Sequence, residues 1–549
     1  MVGVGRPVLI PATDDETLER ALYRVEDPFL IVEREEGLAL LDWDPDVAGW
    51  EGRLPGESRI AGVLPACRLK DLGDRSFGRV HRLRYPYVAG AMANGIASCE
   101  IVEAMGRGGM LGIFGAAGLP LAKVEAAIDR LERTLGPSSI PYGFNLIHSP
   151  NEPDLEAAVV DLYLKRKIRL VEASAYLDLT LPVVRYRVHG VRRNAAGQVE
   201  APNRIIAKVS RVEVASKFMA PPPARLLREL VASGEITAEQ AEMAATIPMA
   251  EDVTAEADSG GHTDNQPAIV LLPTMLALRD RMQAEHGYDQ PIRVGAAGGI
   301  STPWSAAGAL AMGAGYLVTG SVNQACVESG TSDLVRKMLA EARQADIAMA
   351  PAADMFEMGV KVQVLKRGTM FAMRAGKLYE LYRAHDAIEQ IPPAERAGLE
   401  KNYFKAPLET IWDQTRDYFL TRDPAQVERA ERDAKHKMAL VFRWYLGQSS
   451  HWANAGEPSR GVDYQIWCGP AMAAFNDWVR GSFLEQAENR RVETVALNIL
   501  LGAAVLSRAR SLAGQGVPLP TGLPRLVPLE PAELESRLAS QPHVERERV

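Results

Sequence analysis

The chain has 549 residues, enough for more than one domain at roughly 100–200 residues each. With 47% hydrophobic and 24% charged residues, its composition is that of a globular protein. Sixty-two Lys and Arg against 70 Asp and Glu leave a net charge of −8, which excludes the basic footprint of a nucleic-acid-binding protein.

Residues 1–80 form an N-terminal segment of mixed character. It begins with no stretch resembling a signal peptide. Frequent Pro, Gly and Asp, with Trp43 and Trp50, suggest a small packed unit or an arm, and no function is assigned to it.

From Tyr85 onward short apolar strands alternate with helical patterns, which predicts parallel β/α units over a domain of residues 81–353. Nine strands are expected: Tyr85–Gly90, Met110–Phe114, Pro141–Leu146, Ile168–Ala173, Arg185–His189, Arg204–Val209, Val253–Ala257, Ile292–Ala297 and Tyr316–Thr319. The turn-like Asn194-Ala195-Ala196-Gly197 would make Arg185–His189 and Arg204–Val209 a hairpin, leaving eight strands for a TIM (β/α)8 barrel in the α/β class. The clearest helix is Leu121–Leu135, apolar at Leu121, Val124, Ala127, Ile128, Leu131 and Leu135. Pro221-Pro222-Pro223 opens a helical insertion at about 221–250, with Thr237 as an N-cap, expected near the carboxyl face of the barrel as a lid.

After Asp354 the strand pattern stops, so residues 354–515 read as a C-terminal all-α domain for substrate or partner. Five tryptophans fall there: Trp412, Trp444, Trp452, Trp467 and Trp478. Their aromatic rings suit either a core or the lining of an apolar tunnel. The longest apolar run, Val495–Leu506, is shorter than the about 20 residues of a membrane span, and a soluble cytoplasmic protein is expected. Residues 516–549, rich in Pro, Leu and Glu, are expected to be a flexible tail. Cys67, Cys99, Cys326 and Cys468 are scattered without a metal-ligand spacing, so no metal site is expected.

The chemistry concentrates at predicted strand ends. Ser259-Gly260-Gly261-His262 closes the run Val253–Asp258. Gly298-Gly299 and Gly320-Ser321 end the last two strands, where a barrel places a phosphate against backbone N–H groups. Ser301-Thr302-Pro303 then starts a helix with a cap and a first-turn proline. Gly90-Ala91-Met92-Ala93-Asn94-Gly95 follows the first strand. The small residues Ala91 and Ala93, with Met92, would let a flat ring lie on the backbone. Asn145 and Lys208 offer an amide and a cation for the polar edge of a flavin. Lys208 could equally pair with Glu172. His262 is the candidate catalytic residue. The glycines at 106–118 do not follow the strand–GxGxxG–helix order of a dinucleotide fold.

Over residues 85–350 the chain resembles the nitronate monooxygenase flavoproteins, on Gly260-Gly261-His262, Ala297-Gly298-Gly299-Ile300 and Thr319-Gly320-Ser321. Over nearly its whole length it resembles the PfaD-family trans-acting enoyl reductases of polyunsaturated fatty acid and polyketide synthases. That likeness rests on Ala257–Asn265, Thr319–Ala325, Asp354–Gln363, Phe442–Gly447 and Asp463–Met472. Thr263-Asp264-Asn265 departs from the simple oxidases. The resemblance implies an FMN-bearing barrel, with NADPH as reductant and a 2-enoyl thioester on an acyl carrier protein as substrate. His262 would hydrogen-bond the developing enolate or protonate Cα. Arg443 and Lys361, Lys366 and Arg367 are candidates to meet the acidic carrier. The alternatives are a nitronate monooxygenase-like oxidase of small nitroalkanes and a non-catalytic scaffold. A homodimer is the commonest assembly for such an enzyme.

Overall fold

The computed structural model describes residues 9–11, 14–35, 37–42, 58–148, 153–261 and 263–538. Eight parallel strands close a barrel in chain order: Tyr87–Ala89, Leu111–Phe114, Gly143–Ile147, Leu170–Ser174, Arg204–Val209, Asp252–Glu256, Arg293–Ala297 and Leu317–Thr319. The eighth strand pairs with the first, Leu317 opposite Tyr87.

Arg185–His189 is not a strand. It falls in the helix Leu181–Val188, which Thr180 caps and Pro182 enters at its first turn. Its apolar alternation is overridden by tertiary bonding that only a helix satisfies. Tyr186 Oη donates to Ile168 O at 2.9 Å, while the buried Arg187 guanidinium donates to Asn203 O at 2.9 Å and Pro248 O at 3.0 Å. The turn at Asn194–Gly197 does form, but it joins the two-residue strands Arg192–Arg193 and Val199–Glu200.

The barrel interior is layered. At the amino-terminal end Asp252 holds Arg293 and His81, with Arg293 Nε at 2.6 Å and His81 Nε2 at 2.8 Å. All three are buried. Phe77, from the same plugging helix Arg75–His81, stacks on Tyr316 at 4.1 Å. Tyr316 Oη meets Thr254 Oγ1 at 2.9 Å in the middle layer. Asp252, Thr254 and Glu256 alternate inward along the sixth strand. The apolar partners Val253 and Ala255 face the helical shell, so here polarity rather than apolarity marks the interior.

The helical hairpin Ala224–Ala232 and Ala238–Ala244 has the expected Thr237 cap, completed as a capping box by Gln240. Its position differs from the expectation. It joins the end of the helix Val212–Met219 to the start of the sixth strand, and so lies at the amino-terminal end of the barrel, packed on Leu181–Val188. A lid over the mouth must come from elsewhere.

It comes from the segment after the eighth strand. A two-stranded antiparallel ribbon, Ile347–Pro351 with Lys361–Leu365, runs past Asp354, where strands were expected to stop. Helices follow, chiefly Phe371–Ala384, Leu408–Arg422 and Ala434–Ala455, around a core of their own. The chain then returns as the helix Val492–Gly514, packed between Pro303–Ala311 and Cys99–Arg107 in the barrel's outer shell. Among the described residues this is the one helix long and apolar enough to cross a bilayer, longer than the run Val495–Leu506 suggested. Seventy-eight per cent of its apolar window is buried within the protein.

The N-terminal residues form a four-stranded antiparallel sheet of Leu9–Pro11, Gly37–Asp42, Phe29–Arg34 and Arg59–Leu64, with the helix Asp15–Tyr23. Trp43 and Trp50 lie outside the described residues. The unit docks on the long helix through buried Arg508, which donates to Asp27 O and Pro65 O, each at 2.9 Å. Residues 516–538, expected to be flexible, pack instead. Leu526 and Leu534 are buried, and Leu529 exchanges two hydrogen bonds with Asn498. The apolar residues spaced through this Pro-rich stretch provide the anchors that order it.

Candidate functional site

A cavity of about 690 Å³ occupies the carboxyl end of the barrel under the helical segment. Its size is typical of a small-molecule or cofactor site, about 300–1,000 Å³. Ala91, Met92, Ala93, Asn145, Lys208, Ser259, Gly260, Gly261, Gly298, Gly299, Gly320 and Ser321 all line it. His262 lies outside the described residues. Its flanks are fixed: Gly261 lines the cavity, and Asp264 is gripped by Arg211 through Nε and Nη2, each at 2.8 Å.

The loops after the seventh and eighth strands are open-backed. Gly298 and Gly299 adopt φ of +79° and +76°, which glycine alone takes without strain. A Cβ on Gly298 would strike the Ala257 carbonyl at 2.5 Å, whereas a Cβ on Gly299 would meet nothing within 4 Å. Gly320 precedes the short helix Ser321–Gln324; the Asn323 and Gln324 N–H groups donate to Gly320 O at 2.9 and 3.1 Å, which leaves those of Ser321 and Val322 without an acceptor in this helix.

The opposite side is polar and charged. Asn145 is buried and donates through Nδ2 to Glu172 O at 3.1 Å and Ser174 Oγ at 2.9 Å, so its Oδ1 is the atom left for a ligand. Lys208 does not pair directly with Glu172. Its Nζ lies 2.6 Å from Glu256 Oε1 on the next strand. Burial works against the Lys208 charge, but Glu256 and then Glu172 outweigh it and raise its pKa. Glu172 is fully buried and accepts from the Ala91 N–H at 3.0 Å. Burial pushes its carboxyl up to about 7, against the pull of Lys208 and the Ala91 N–H. Sequence reading named Glu172 only as a partner for Lys208 and missed Glu256. The signal was present as polar residues at every second position of the sixth strand.

The roof closes over this floor. Asn94 Nδ2 donates to Ser450 Oγ at 3.0 Å, and Gln363 Nε2 to Asp258 Oδ1 at 2.5 Å. Gly260 and Gly469 pass so closely that a Cβ on Gly469 would lie 3.1 Å from Gly260 N. Tyr418, Phe419, Leu440, Trp444 and Trp467 give the roof an apolar lining. Trp412 and Trp452 pack against the helical core, and Trp478 donates to Leu526 O at 2.6 Å, so of the five tryptophans only Trp444 and Trp467 face the cavity. Arg443 also turns inward, 3.3 Å from Glu357, and is not part of an outer docking face; Lys361, Lys366 and Arg367 are exposed. A second cavity of about 500 Å³ adjoins the first, sharing Asn94, Gly118, Tyr418, Arg422 and His451 and reaching Lys123.

The four cysteines are free, and among the described residues no group of His, Cys, Asp or Glu is placed to hold a metal ion.

Residues 78–380 match the nitronate monooxygenase family model, and residues 385–464 match the inserted helical domain of [acyl-carrier-protein] S-malonyltransferase. The chain is 50% identical over 86% of its length to a polyunsaturated fatty acid synthase polypeptide of Thraustochytrium sp., of which it covers 32%. It is 46% identical over 80% of its length to the polyketide biosynthesis protein PksE of Bacillus subtilis, of which it covers 57%. It thus spans about a third to just over half of these relatives. Among solved structures, the enoyl reductase domain of MlnA from the macrolactin cluster of Bacillus amyloliquefaciens superposes with a TM-score of 0.77. The two share 40% identity, over 81% of this chain and 100% of that one.

Proposed function

This chain belongs to the nitronate monooxygenase family, in its PfaD-like enoyl-reductase branch, and from that we propose that it is an FMN-dependent enoyl reductase. It acts in trans on 2-enoyl thioesters carried by acyl carrier protein in polyketide or polyunsaturated fatty acid biosynthesis, with NADPH as reductant. The observation that carries this reading is the meeting, around one cavity, of a backbone cradle for an anion, a cation beside an amide, and an apolar roof.

The residues present fit a flavin mononucleotide. The space where a Cβ on Gly299 would stand is empty, and Gly320 meets only Met92 Cγ at 4.0 Å, so phosphate oxygens can approach both backbones. Ser321 adds a hydroxyl. The Ala91–Ala93 backbone offers a surface for a flat ring. Asn145 Oδ1 can accept from a ring N–H, and Lys208 can offset negative charge on the ring. When bound, the flavin supplies the hydride-transfer chemistry.

The remaining steps fall to the chain. Tyr418, Phe419, Trp444 and Trp467 exclude water and leave an apolar path suited to an acyl chain. His262 holds a proton for the enolate oxygen or for Cα of the reduced thioester. A small nitroalkane would need no such roof. One relative is a polyunsaturated fatty acid synthase polypeptide and another a polyketide biosynthesis protein, which supports a carrier-bound substrate.

The test is anaerobic. Reduction of the bound flavin by NADPH, followed by reoxidation with an enoyl-carrier thioester, is the expected result. Reoxidation only by oxygen in the presence of a nitronate would assign the oxidase activity instead. Protein that takes up no flavin would leave only a scaffold.

A further inference from the structure

Glu172 has a place in this site that its pairing does not explain. It points into the barrel interior from the fourth strand and is fully buried. Oε2 accepts from the Ala91 N–H at 3.0 Å, in the loop that forms the floor of the mouth. Oε1 is buried and has no hydrogen-bond partner. It lies just under the floor, 3.3 Å from where a Cβ on Gly90 would stand.

The charges facing it are few. Lys208 comes from the fifth strand, Glu256 from the sixth and the Tyr316 phenol from the eighth. Lys208 is already bonded to Glu256 at 2.6 Å. That pair is neutral as a unit, and Tyr316 is held in its uncharged form by burial. An ionised Glu172 is therefore the unbalanced charge of the layer, and a protonated one makes it neutral. A buried carboxyl with one idle oxygen and a charge count that closes only when it carries a proton is built to change protonation state rather than to hold a fixed salt bridge.

We propose that Glu172 takes up a proton when negative charge arrives at the floor of the mouth, coupling proton uptake to reduction of the flavin above it. This rests on the flavin reading given above. Two electrons and one proton entering the ring leave it with one net negative charge. A second proton passes from solvent to Glu172 Oε1, so that reduction adds no unbalanced charge to the layer. The electrons come from the nicotinamide donor or, in the test, from dithionite. Glu172 touches neither hydride donor nor substrate. It acts by setting the charge beneath the ring.

The experiment is anaerobic redox potentiometry of the flavin-loaded protein at several pH values, reading the protons taken up per two electrons. At about pH 8, one unit above the Glu172 titration at about 7, the wild type should take up close to one proton more than Glu172→Gln. The two should converge towards lower pH, where Glu172 is already protonated. Should that variant fail to fold, the infrared difference spectrum of wild type on reduction replaces it. A protonated-carboxyl band gained on reduction supports the proposal, and a spectrum without one overturns it. Equal proton counts in wild type and variant, with flavin bound to both, would overturn the proposal and leave the enoyl-reductase reading intact. Protein that binds no flavin would overturn both.

Discussion

Lys208 and Glu256 meet across neighbouring strands beneath the cavity, Nζ 2.6 Å from Oε1, with both side chains largely buried. Removing one partner of such a pair leaves the other charge without compensation, a loss of about 3–5 kcal/mol where burial is complete. Lys208 keeps a little solvent contact, so the lower end of that range applies to Lys208→Met. A lower melting temperature is expected, partly restored in the double variant Lys208→Met/Glu256→Gln. Flavin affinity, read by fluorescence quenching, should fall in both variants, because neither restores a cation to the ring. Recovery of affinity in the double variant would show that Lys208 serves only the fold.

Glu172 gives the protein a pH dependence of known sign. Burial raises its folded-state pKa from 4.5 to about 7, so the folded state binds the proton more tightly than the unfolded state. The stability this brings is complete below about pH 4.5 and is lost as pH rises through about 7. That span, worth roughly 3 kcal/mol, should appear as a gap between wild type and Glu172→Gln that shifts in favour of the variant with rising pH. Denaturant melts of the flavin-free proteins at matched pH values measure it. A gap independent of pH would mean that Glu172 stays in one protonation state throughout.

Most of the barrel was legible because its strands are short apolar runs, four of them followed directly by glycine at Gly90, Gly115, Gly298 and Gly320. All eight barrel strands are among the nine expected from the sequence. Arg185–His189, the ninth, misled because the alternation Val184, Tyr186, Val188 suits a strand, whereas the Thr180 cap, Pro182 in the first turn and bonds to the distant carbonyls of Ile168, Asn203 and Pro248 favour a helix. The glycine cradle was legible for a local reason: Gly298-Gly299 and Gly320-Ser321 announce backbone freedom at strand ends. Glu256 was signalled by the polar residues at every second position of its strand, but its pairing with Lys208 depends on barrel closure. The roof was half legible. Nothing local separates Trp444 and Trp467, which face the cavity, from Trp412, which packs on the helical core.

His262 carries the proton in the proposed reaction. Replacing it with Ala should lower enoyl reduction by about 10²–10⁴-fold, while the flavin spectrum and the rate of flavin reduction by NADPH stay near those of wild type. Stopped-flow measurement of the two half-reactions separates these effects. Loss confined to the reductive half-reaction would move His262 from the thioester to the nicotinamide, and near-normal turnover would remove it from the chemistry.

Gly320 and Gly298 provide a paired test of the phosphate cradle. A Cβ on Gly298 would run into the Ala257 carbonyl at 2.5 Å, from a backbone at φ +79°. Gly298→Ala should therefore destabilise the fold itself by about 1–3 kcal/mol. Gly320 differs on both counts. Its φ of −129° lies outside the left-handed region, and a Cβ would meet only Met92 Cγ at 4.0 Å. Gly320→Ala should melt within about 1 kcal/mol of wild type without ligand. The methyl would nevertheless stand in the space where phosphate oxygens approach the Gly320–Ser321 backbone, so affinity for FMN should fall at least about tenfold, a loss of about 1.4 kcal/mol. Riboflavin, which lacks the phosphate, should bind wild type and Gly320→Ala alike. Equal losses for FMN and riboflavin would place the phosphate elsewhere in the cavity.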